Sequence, residues 1–110
     1  MANKHSITLE QATAMTKFYR AEKDNIVNPE SINLLPISET FDKTAFQELL
    51  AVPGVVSIRC YLGMDTDKLV RMIFVAVNAA DEDILPPAGQ IMENGEHCPP
   101  ICAPSGLLNS

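Results

Sequence analysis

A chain of 110 residues, 46% hydrophobic and 5% aromatic with no tryptophan, has the size and composition of one globular domain with an aliphatic core. No stretch approaches the ~18 consecutive apolar residues of a membrane span, and the formal charge of −6 is uneven: residues 1–71 carry eight bases and nine acids, residues 72–110 five acids and no base. Such a balance cannot gather phosphates, which argues against nucleic acid and anionic membrane surfaces as partners.

The opening "MANKHSITLEQ" lacks the apolar run of a secretory signal, which predicts a cytoplasmic protein. Thr8-Leu9-Glu10-Gln11 reads as a capping box, with Thr8 as N-cap and Gln11 three residues on. Leu9, Ala12, Met15, Tyr19 and Ile26 then recur at roughly helical spacing with Phe18 beside them, predicting a helix over 8–24. Lys17, Arg20 and Lys23 fall in its second half, where cations suit the helix dipole. Residues 25–37 carry two prolines and read as a connection with a short extended piece at Ile32–Leu35. A second helix is predicted from Lys43 to Ala51, with Asp42 as N-cap, Phe41 and Phe46 as a hydrophobic staple, and Pro53-Gly54 as its stop.

The period then changes to two. Val56, Ile58, Cys60 and Leu62 alternate with Ser57, Arg59 and Tyr61, as in a strand with one buried face, which places Cys60 in the core. After a turn at "MDTDK", Val70, Met72, Phe74 and Ala76 face one way while Ile73, Val75 and Val77 face the other. A strand over Leu69–Asn78 that is apolar on both faces must be central or covered twice, and it forms a hairpin with the first. A lone hairpin is marginal in water. A third strand is therefore required, from Ile32–Ile37, from Asp83–Leu85 or from a second subunit, and the doubly apolar strand favours a dimer. From Pro86 onward five prolines and three glycines fill 25 residues, predicting an irregular acidic arm.

That arm carries "HCPPIC". Structural zinc takes four N or S donors, and the arm offers His97, Cys98 and Cys102, to be completed by Cys60, His5 or a second subunit. No second paired half-site is present. Pro99 and Pro100 push the residues before them into extended geometry. Four polyproline steps of ~3.1 Å would set the Cα atoms of Cys98 and Cys102 about 12 Å apart, against roughly 4.4–6.8 Å for a disulfide. Joining the sulfurs requires a sharp bend at Pro100–Ile101 or a cis proline. A nucleophilic thiol needs a cation, metal or helix N-terminus to lower its pKa, and the charges nearby in sequence are Glu93 and Glu96. The plainest reading is a proline-stiffened arm that packs along the domain and buries Cys98, Ile101 and Cys102 as small hydrophobes. Metal binding and thiol chemistry stand beside it as alternatives.

Asp65-Thr66-Asp67 and Asp81-Glu82-Asp83 each resemble half of a cation site, but the EF-hand order is broken by Lys68 and Leu69, and turn chemistry is enough to explain Asp and Thr in the hairpin turn. No phosphate loop, dinucleotide fingerprint, GxSxG or HExxH is present, and His5 and His97 are the two histidines a triad could recruit. No catalytic or cofactor-binding residue is assigned.

The order of "LLPISETFDKTAF", "YLGMDTDKLVRMIFVAVN", "DEDILPP" and "CPPICAP" resembles a group of small uncharacterised bacterial proteins that end in a Cys-Pro-Pro-x-Cys tail. The resemblance implies that the tail is a regular part of the protein. It implies no activity or cofactor.

The expected fold class is α+β: two N-terminal helices packed on a small antiparallel sheet built round a β-hairpin. Residues 1–85 are expected to form a single domain and residues 86–110 an extended arm. The expected function is a non-catalytic interaction or structural module that self-associates. The alternative is a metal-binding protein using zinc or a similar ion at His97, Cys98 and Cys102.

Overall fold

The computed structural model describes residues 4–26 and 35–109. The chain forms two compact units, one from Met1–Ser38 with His97–Ser110 and the other from Glu39–Glu96. The class is mixed α+β, with two helices and antiparallel sheets among the described residues. Neither helix is long and apolar enough to cross a membrane.

In the first unit α1 runs Leu9–Ile26. Both halves of the capping box are in place: the Thr8 N–H donates to Gln11 Oε1 at 2.8 Å, and the Gln11 N–H to Thr8 Oγ1 at 3.0 Å. Further along the helix, the Tyr19 hydroxyl donates to the Pro36 carbonyl at 2.7 Å, and Arg20 donates to the carbonyl of Leu108. The extended piece expected at Ile32–Leu35 lies, but for Leu35, outside the described residues.

The second unit is a sheet with one helix on it. After β1 (Ser38–Thr40), α2 spans Lys43–Leu50. Asp42 precedes α2 in extended backbone and makes no side-chain cap. The start is set by aromatic packing instead, with the Phe41 and Phe46 ring centroids 6.1 Å apart and Phe74 edge-on to both. The chain then turns at Val52–Val55, where Gly54 takes φ 87°, a conformation that side chains disfavour.

β2 (Ser57–Met64) and β3 (Val70–Val77) pair antiparallel without a break, Cys60 opposite Phe74 and Leu62 opposite Met72. On its other side β3 pairs with β4 (Asp83–Ile84) and with β5 (Ile91–Met92). The strands that complete the hairpin thus come from the chain itself, one of them from inside the expected arm. A final strand, β6 (Glu96–Cys98), pairs with β1 in a two-stranded sheet. Residues 86–96 fall within the Glu39–Glu96 unit.

Leu49, Val52 and Ala76 form the buried centre, ringed by Phe46, Val55, Ile58, Phe74, Ile84 and Met92. Burial of a side chain such as Leu49 contributes about 1.5–3 kcal/mol. Val75, Ala76 and Val77 are all buried, so the end of β3 is covered on both faces, as its doubly apolar pattern requires. The hairpin outruns its cover, however. Eight helical residues rise about 12 Å, whereas eight strand residues span about 27 Å. α2 reaches the Ile58, Phe74 and Ala76 end, which leaves Leu62 and Met64 exposed, while Cys60, expected in the core, lies opposite Phe74 on the outer strand and is exposed as well.

Candidate functional site

The arm cysteines are joined. The Cys98-Pro99 and Pro99-Pro100 peptide bonds are cis, and the Ile101 N–H donates to the His97 carbonyl at 2.8 Å. The chain doubles back, the Cys98 and Cys102 Cα atoms stand 4.6 Å apart, and the sulfurs form a disulfide. The reversal also sorts the side chains. His97 and Cys98 are buried, while Ile101 and Cys102, expected to pack inward, are on the exposed limb of the loop.

A disulfide sulfur is neither a thiolate ligand nor a nucleophile. In this form His97 is thus the one candidate donor left in the segment. Cys60 is a free, exposed thiol of the sheet unit. Among the described residues no three His, Cys, Asp or Glu side chains gather as a metal site.

Two polar clusters that the sequence did not announce organise the sheet unit. In the first, Arg71 of β3 faces three carboxylates: Asp65 and Glu93 at 3.4 Å and Glu39 at 3.8 Å. Arg71 also donates to the Gly95 carbonyl at 3.2 Å. Glu39 is fully enclosed and accepts the Met72 N–H at 3.0 Å. Asp65 accepts the N–H groups of Leu69 and Asp67 at 3.1 and 2.9 Å. Those bonds, with Arg71, hold its carboxyl below the usual range. The acids considered as half of a cation site are thus accounted for by a turn and an ion pair.

The second cluster lies on the polar face of β2. Arg59 pairs with Asp81 at 2.6 Å and with Asp83, and the Tyr61 hydroxyl donates to the other oxygen of Asp83. The Tyr61 bond, followed by Arg59, holds the Asp83 carboxyl below its ordinary range, and the same bond raises the Tyr61 phenol. Alternation along β2 places Arg59 and Tyr61 on one face. Only the pairing of β4 with β3 brings Asp83 to them.

Beside α2 a cleft of about 330 Å³ is lined by Phe41, Met92 and the acids Asp42, Glu48, Glu93 and Glu96. Its lining adds Thr40, Thr44 and Asn94 to those four carboxylates and includes no lysine, arginine, histidine or cysteine. On α1, Ala14, Met15, Phe18 and Tyr19 line an open apolar surface, with Phe18 71% exposed. Another open apolar surface lies at the far end of the hairpin, where Leu62 is 74% and Met64 64% exposed, beside Met72.

Against this geometry the comparisons add no relative: no protein-family model, no curated protein and no solved structure matches the chain.

Proposed function

We propose that the protein is a non-catalytic interaction module that self-associates. One observation carries this reading: regular elements leave large apolar side chains in water, Met15 and Phe18 on α1 and Leu62 and Met64 on β2. Apolar surface on an ordered strand or helix, rather than scattered over loops, is the mark of a face that meets a partner. The polar clusters suit a scaffold, because their charges are spent on one another. Light scattering across a hundredfold range of concentration tests the reading. A reversible rise from monomer to dimer mass is expected, and a monomer throughout overturns it.

The competing reading starts from the reduced arm. With Cys98 and Cys102 already adjacent, reduction would set two thiolates beside His97, three donors of a tetrahedral site that needs one more. Zinc analysis and a thiol count on protein purified under reducing conditions decide it. About one zinc per chain or per dimer with shielded thiols favours the metal reading, and zinc-free protein with three open thiols removes it.

The same pair bears on the compartment. A persistent Cys98–Cys102 bond suits an oxidising compartment, whereas in a cytoplasmic protein it would be a transient, redox-responsive bond. Thiol trapping in intact cells distinguishes the two.

A further inference from the structure

Resting on the self-association just proposed, the geometry points to β2 as the strand through which two copies pair, antiparallel about a two-fold axis at Cys60. Among the described residues β2 has a single ladder partner, β3, so its outer side presents a row of unpaired backbone groups. Protein edges are usually blunted by shortness, lysine, proline or a bulge. Ser57–Met64 is eight residues long, contains no lysine or proline, and keeps unbroken register with β3. Its single charge, Arg59, is already neutralised by Asp81 and Asp83.

Charge and side-chain pattern select a second copy as the occupant. β2 carries no acid, so the overall −6 does not repel at this edge. A two-fold axis at Cys60 sets Ile58 opposite Leu62 of the second copy and Arg59 opposite its Tyr61, so no like charges meet. Arg59 meets an aromatic ring, and the exposed Leu62 and Met64 of each copy lie beside Ile58 and the exposed Val56 of the other. The symmetry also places the two Cys60 residues directly opposite, with Cβ atoms about 4.5–5.5 Å apart. A stable interface usually takes about 800 Å² from each partner, and one strand with three apolar side chains is at the small end. The dimer is accordingly a weak, reversible one of micromolar Kd.

Mild oxidation by copper phenanthroline over a concentration series reads the register. Two Cys60 thiolates join as one disulfide, passing two electrons to the copper complex. A covalent dimer is expected from the native chain and from Cys98→Ser with Cys102→Ser, and none from Cys60→Ser. Sedimentation of Leu62→Lys should show a dimer Kd at least tenfold weaker with an unchanged circular dichroism spectrum. Met64→Lys serves as a second variant, since both side chains are exposed in the monomer. A dimer indifferent to both lysines and unlinked through Cys60 overturns β2 as the interface while leaving self-association standing. A monomer at every concentration overturns both.

Discussion

In the Glu39–Glu96 unit, apolar side chains from α2, β3 and the strands beside them converge on Leu49. In the unit built from Met1–Ser38 and His97–Ser110, the ties among the described residues include a disulfide, a tyrosine hydroxyl on a carbonyl, an arginine on a carbonyl and a backbone bond from the Ile37 N–H to the Cys98 carbonyl. The first arrangement gains from area removed from water and should unfold as a block. The second rests on separate links and should loosen piece by piece, with sensitivity to reductant. The contrast shows how 110 residues can hold a conventional core and still leave large apolar side chains exposed on helix and strand.

The largest test of the contrast is Leu49→Ala. It removes a fully buried side chain and should cost roughly 3 kcal/mol in denaturant unfolding followed at the sheet. A loss under about 1 kcal/mol would mean that the core lies elsewhere. Next is Cys98→Ser with Cys102→Ser. The bond closes a five-residue loop, for which chain entropy gives about 2 kcal/mol as an upper figure. Hydrogen exchange should quicken over residues 97–109 and stay unchanged across β2 and β3. Equal acceleration in both units would erase the distinction between them.

Gly95→Ala tests the polar cluster of the sheet unit. A Cβ there would strike the Phe41 ring and stand 2.6 Å from Glu39 Cγ. A loss of about 1–2 kcal/mol is expected, seen as a lowered thermal midpoint. The smallest effect is the pH response of Asp83. Because its folded-state pKa is depressed, its contribution is present above the unfolded value near ~3.9 and is lost as pH falls through the folded one. Hairpin stability should therefore fall below about pH 4 and do so less in Asp83→Asn. The same substitution should bring the raised Tyr61 phenol back down in an ultraviolet titration.

Legibility in the sequence followed the same division. The capping box at Thr8, the change from helical to alternating period after Pro53, and the doubly apolar β3 are local patterns, and each has its counterpart in the structure. Cys60 misled because alternation reports which face a side chain takes, not that its strand is the outer one of the sheet. The Cys98–Cys102 bond was obscured for a related reason: polyproline spacing assumes trans peptide bonds, and the chain reverses through two cis ones. Arg59 with Asp83, and Arg71 with Glu39 and Glu93, join residues more than twenty positions apart. Such pairs follow only from strand order, which no local pattern contains.

The most direct test of the central claim is hydrogen exchange of the native chain at two concentrations, one well below and one well above the dimer Kd. Paired edges predict that outward-facing amides of Ser57–Met64 slow in the concentrated sample, while those of α1 exchange equally in both. Identical rates along β2 at the two concentrations would contradict the account.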